Sequence, residues 1–119
     1  MTDLSTNYAG LELKNPLIAG SCGITNSVEN VSEIAKAGAG AVVLKSLFEE
    51  KILADEISDH ENTPGIHTEA LRYMEESAMM HGAQEYVDFI RKVKKEVSVP
   101  IIASVNCSST NRWIEFVKK

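Results

Sequence analysis

The chain has 119 residues, 44% of them hydrophobic and 24% charged, with a net charge of -5; this is the make-up of one ordinary globular domain and argues against a disordered segment. The acidic balance, with no basic stripe to offset it, disfavours a nucleic-acid partner. The longest apolar runs fall far short of the roughly 20 residues a membrane span needs, and the start lacks the charged and apolar regions of a secretion signal, so the sequence predicts a cytoplasmic protein.

Taken in chain order, Tyr8 and Leu11-Glu12-Leu13 lie on either side of Gly10 and read as a short hairpin covering the end of something larger. Pro16-Leu17-Ile18-Ala19-Gly20 reads as the first buried strand, with Pro16 tolerated at its first position. It runs into Ser21-Cys22-Gly23, small residues that let backbone amides approach a ligand. Asn26 or Ser27 then caps a helix whose apolar positions, Val28, Val31, Ile34 and Ala35, recur at helical spacing. That helix ends near Gly38, and Ala37-Gly38-Ala39-Gly40 turns the chain into a second strand, Ala41-Val42-Val43-Leu44, closing a βαβ unit of about 30 residues.

The stretch from Phe48 to Met80 is acidic, contains Pro64-Gly65 and lacks sustained periodicity, which predicts a long loop of the kind that is functional or disordered. Its carboxylates lack the spacing of a calcium loop, and His60, His67 and His81 lack metal-ligand spacing, so no metal is expected. The histidines read as surface or helix-cap residues. Met74, Met79 and Met80 suit either an apolar lip over a ligand or simple core filling. Tyr86, Phe89, Ile90, Val93 and Val97 predict a second helix from about Ala83 to Glu96, with Lys92, Lys94 and Lys95 favouring its dipole. Val99 to Val105 reads as a third strand that ends at Asn106 and Cys107, and Ser108-Ser109-Thr110 leads to a third helix around Trp113, Ile114, Phe116 and Val117. Cys22 and Cys107 are too far apart for a CxxC pair, fit a reduced compartment and read as two small buried side chains.

Three strand-helix units with near-continuous apolar strands predict an α/β fold with a parallel sheet covered by helices. The strand ends Gly20-Ser21-Cys22-Gly23, Lys45-Ser46 and Asn106-Cys107 then share one face, where such folds bind ligands. A lysine there can meet a phosphate, form a Schiff base, hold an electron-rich cofactor ring, or merely extend from the rim into water. The pattern GxxxxGK[ST] is not met, because Gly38 and Gly40 precede a strand, and no GxGxxG follows the first strand. Schiff-base chemistry wants a desolvated amine or an adjacent cation, and no sequence neighbour supplies one. For a flavin edge the ammonium stays charged, while Ser46, the amides around Ser21 and Gly23, and Asn106 supply donors and acceptors.

The segments Asn15-Pro16-Leu17-Ile18-Ala19-Gly20-Ser21-Cys22-Gly23, Ala37 through Ser46, and Val105-Asn106 together resemble the dihydroorotate dehydrogenase family, in particular its dihydroorotate dehydrogenase-like members. The resemblance implies the first three strand-helix units of a (β/α)8 TIM barrel, one partial FMN-binding domain over 1–119, and a small-molecule substrate. It further implies that Ala19, Gly20 and Gly23 approach FMN, that Lys45 stabilises the reduced flavin beside Ser46, and that Asn106 contacts the ring. Where that family has an Asn-Ser-Met-Gly-like substrate loop, this chain has Glu75-Glu76-Ser77-Ala78-Met79-Met80-His81-Gly82. The family's catalytic cysteine or serine belongs to a loop after a fourth strand, so Cys107 does not match it. A closed barrel takes roughly 250 residues, so the sequence is expected to supply part of one. It is expected to be inactive alone and to self-associate, as a homodimer for example, through open sheet edges. Two other functions fit the same residues: a non-catalytic structural or interaction remnant of the fold, and a Schiff-base aldolase-like lyase using Lys45.

Overall fold

The computed structural model describes the backbone of residues 2–48 and 68–107 with Ile114 and Lys118, and the side chains of these residues apart from 48 and 68–80. The chain opens with an antiparallel hairpin of β1 (Thr6–Tyr8) and β2 (Leu11–Leu13), in register Thr6↔Leu13 and Tyr8↔Leu11. Its two-residue turn has positive φ at Ala9 (48°) and Gly10 (81°), the geometry that matches the twist of a tight hairpin.

Parallel strand-helix units follow. β3 (Ile18–Ala19) leads through a short 3-10 turn, Gly23–Asn26, into α1 (Val28–Lys36) and then β4 (Ala41–Val43). Ser27 caps α1 by accepting the Asn30 N–H at 3.3 Å. The helix ends because Gly38 takes φ 108°, while the N–H groups of Gly38 and Ala39 return to the carbonyls of Ala35 and Ile34. Those two bonds form a Schellman cap, which favours glycine at this position. β4 pairs in parallel with β3 on one side and with β6 (Ile101–Ile102) on the other, giving the order β3-β4-β6. This α/β arrangement of a hairpin followed by parallel strand-helix units is that of the first units of a TIM barrel.

By its internal contacts the chain divides into two units, Met1–Ser46 with Asp88–Ser104, and Leu47–Val87 with Val105–Lys119. The first holds the sheet β3-β4-β6, and its core is Leu13, Val31, Ala41, Val42, Leu44 and Val93, all buried. Here α1 packs on β4. Of the apolar stripes read from sequence, Val31 and Val93 are the fully buried members and their neighbours are half-buried. In the second unit β5 (Leu47–Phe48) pairs in parallel with β7 (Val105–Asn106), and Ala83 is buried.

Three expectations need correction. Cys22 is exposed and Cys107 half-buried, where small buried side chains are expected, because both stand past strand ends and outside the core. The third strand does not run unbroken from Val99 to Val105; it forms β6 and β7, separated by Ala103 and Ser104. The stretch to Met80 is not loop throughout, because α2 spans Thr68–Glu96. Its first turns are built from good helix formers, Glu69, Ala70, Leu71, Arg72, Met74, Glu75 and Glu76, whose summed propensity favours helix without a clean apolar period. His81 is the surface histidine expected, exposed on α2 and 3.2 Å from Glu85. The acidic segment 49–67 with His60 and His67, the methionine lip, and the third helix lie outside the described residues, save that Ile114 is helical and exposed.

Candidate functional site

Parallel pairing puts the carboxyl ends of β3, β4 and β6 on one side of the first unit, and polar residues collect there. β3 delivers Ala19 half-buried, then Gly20, Ser21, Cys22 and Gly23, all exposed. β4 delivers Leu44, fully buried, then Lys45, exposed, and Ser46, half-buried. Past β6 stands Ser104, also half-buried.

Three hydroxyls tie these ends together. Ser21 Oγ and Ser46 Oγ are 3.0 Å apart, and Ser21 Oγ also accepts the Ser46 N–H at 3.0 Å. Ser46 Oγ lies 2.6 Å from Ser104 Oγ. The Leu44 N–H donates to the Ile102 carbonyl at 2.9 Å, so the segments after β4 and β6 run side by side where Ser46 meets Ser104.

The turn after β3 is anchored from beneath. Thr25 is fully buried; its hydroxyl donates to the Cys22 carbonyl at 3.1 Å and accepts the Cys22 N–H at 3.2 Å. Its own carbonyl accepts the Lys45 N–H at 3.0 Å. A single buried side chain therefore shapes the Cys22 turn, and its carbonyl docks that turn on the strand end carrying Lys45. The same turn aims amides at the exposed Cys22 thiol: the Ile24 N–H, then that of Thr25, hold it below the usual thiol range, and the Lys45 cation adds a weaker pull in the same direction.

The glycines of this rim differ from those elsewhere. Among the described residues a Cβ placed on Gly20 or Gly23 would meet nothing within 4 Å, and neither has a positive φ. No described residue and no backbone angle therefore asks for glycine at either position. The open space in front of them is where a flat ligand could meet backbone.

Of the residues singled out from sequence, Ala19, Gly20, Ser21, Gly23, Lys45 and Ser46 fall together on this rim, whereas Asn106 belongs to the second unit, where it is exposed and in register with Phe48. Thr25 and Ser104 escaped the sequence reading. Thr25 stands three residues after Cys22, the spacing of a capping box, and Ser104 is a hydroxyl residue in an otherwise apolar run, so both left a signal. Among the described residues no cluster of histidine, cysteine and carboxylate side chains could hold a metal ion, and no helix is long and apolar enough to cross a membrane.

No protein-family model matches the chain. Among curated proteins, the catalytic subunit of dihydroorotate dehydrogenase B (NAD(+)) from Methanocaldococcus jannaschii is 34% identical over 122 aligned residues, which cover 98% of this chain and 37% of that protein. The likeness is thus distant and partial, and the chain spans little more than a third of the relative's length.

Proposed function

We propose that the chain is the amino-terminal part, over 1–119, of an FMN-dependent oxidoreductase domain related to dihydroorotate dehydrogenase, acting on a small cyclic substrate in the cytoplasm. The observation that carries the reading is the rim itself: an exposed lysine, linked hydroxyls and two glycines facing open space, gathered at the carboxyl ends of parallel strands. The similarity to a dihydroorotate dehydrogenase subunit supports the same reading.

The donor set suits a flavin. Its ring edge offers carbonyl and nitrogen acceptors with an N–H between, which a cation, hydroxyls and backbone amides can satisfy. When bound, FMN supplies a two-electron acceptor for hydride leaving a reduced ring compound. The residues of this chain bind and stabilise. The Lys45 ammonium offsets negative charge that develops on reduction. Ser21 and Ser46 present hydroxyls to the ring edge, and the backbone at Ala19, Gly20 and Gly23 lets it approach closely. Asn106 enters through the family resemblance, and the proposal does not depend on it. A Schiff-base role for Lys45 is less favoured, because such a lysine is activated by desolvation and Lys45 is exposed.

The test is the visible spectrum of the natively purified protein after incubation with FMN and removal of excess by gel filtration. Retained absorbance near the flavin bands is expected. A colourless protein would count against the reading, and borohydride trapping of a carbonyl compound on Lys45 would replace it with the lyase.

A further inference from the structure

We infer that Ser104 is a positioning residue for this rim: it holds the Ser46 hydroxyl, and through it the Ser21 hydroxyl, in the arrangement that meets a bound flavin. The inference rests on the flavin reading and extends it to a residue on a third strand end.

A serine side chain has one torsion with three staggered wells, and on an exposed rim it samples more than one. Ser46 is restrained from both sides. Its N–H and Oγ engage Ser21 Oγ, each at 3.0 Å, and its Oγ meets Ser104 Oγ at 2.6 Å. The contact to Ser104 is the shortest of these, and it crosses from the β4 end to the β6 end. Both hydroxyls belong to the first unit, on segments already joined by the bond from the Leu44 N–H to the Ile102 carbonyl. Ser104 is half-buried while Ser21 is exposed, so Ser104 is the inner anchor of the hydroxyl chain and Ser21 its outer end. Losing the anchor leaves Ser46 and Ser21 as a pair that can rotate together, and a ligand must then order them when it binds.

The experiment compares the 119-residue chain with Ser104→Ala and Ser104→Thr. Urea unfolding first verifies that each is folded. Scalar couplings about the Ser46 Cα–Cβ bond, measured by NMR without ligand, are expected to report one rotamer in the parent and averaging in Ser104→Ala. Ser104→Thr, which keeps a hydroxyl, restores the single rotamer. FMN affinity, read by quenching of flavin fluorescence, is expected to fall about three- to tenfold in Ser104→Ala, the range of one net hydrogen bond, and to stay within about twofold in Ser104→Thr. Unchanged Ser46 couplings in Ser104→Ala, or unchanged FMN affinity, overturn the inference. If Ser104→Ala does not fold, Ser46→Ala probes the same contact through the Ser104 couplings: averaging supports the contact and a fixed rotamer overturns it. If the parent itself binds no FMN, the flavin reading fails, and the Ser46 couplings still decide whether Ser104 is the anchor.

Discussion

The two ends of the sheet β3-β4-β6 are stitched by different means. At the amino ends, the Asn15 amide donates to the Gly38 carbonyl at 2.8 Å, its Oδ1 accepts the Leu17 N–H at 3.0 Å, and Gly40 donates to the Leu17 carbonyl at 2.8 Å. A Cβ on Gly40 would collide with the Asn15 carbonyl oxygen, and Gly38 sits at positive φ. Each glycine there answers to the chain itself. At the carboxyl ends, no described residue requires glycine at Gly20 or Gly23, hydroxyls link the strand ends beside the backbone bond from Lys45 to Thr25, and a lysine stands exposed. The contrast teaches that the fold itself fixes the glycines at one end, whereas at the other no described residue asks for them.

Breaking the closed end should cost stability, and the largest loss is expected for Gly40→Ala. The clash is with backbone and cannot be relieved by a rotamer change, so about 2–3 kcal/mol of unfolding free energy should be lost in urea titrations. Asn15→Ala removes two hydrogen bonds, one partly buried and one exposed, and should cost about 1–2 kcal/mol by the same measurement. Gly20→Ala and Gly23→Ala should change stability by less than about 0.5 kcal/mol, yet weaken FMN binding; a large stability loss at either would erase the distinction between the ends.

The smallest effect concerns Cys22. A lowered thiol pKa populates thiolate at lower pH, so alkylation of Cys22 should reach half its maximal rate at a lower pH in the folded chain than in denaturant. Lys45→Ala should move that midpoint slightly upward, toward the ordinary thiol range. Equal midpoints in the folded and denatured chains would mean that the Ile24 and Thr25 amides do not reach the sulfur.

Much of this plan was legible in the residues. The hairpin about Gly10, the cap at Ser27, the stop at Gly38 and the strand beginning at Ala41 all follow from local rules, because turn chemistry and apolar runs act over a few residues. Rim membership of Ser21, Lys45 and Ser46 followed from strand ends alone. What stayed hidden depends on register between distant segments. The break of the third strand at Ala103-Ser104 is visible only once β6 and β7 are paired with β4 and β5, and the Ser46 to Ser104 contact spans residues 58 apart. Likewise the burial of Thr25, and the Lys45 N–H on its carbonyl, belong to the folded turn and leave no local pattern of their own. The early turns of α2 were missed for a different reason: their helical preference is compositional, not periodic.

The central claim is that the open rim holds a flavin against Lys45. Titration of FMN into the folded chain, followed by fluorescence quenching at fixed ionic strength, tests it most directly when the parent and Lys45→Ala are compared. The account predicts saturable binding of one FMN per parent chain and at least about tenfold weaker binding, or ~1.4 kcal/mol, once the cation is removed. Equal binding by both, or no saturable binding by the parent, would contradict it.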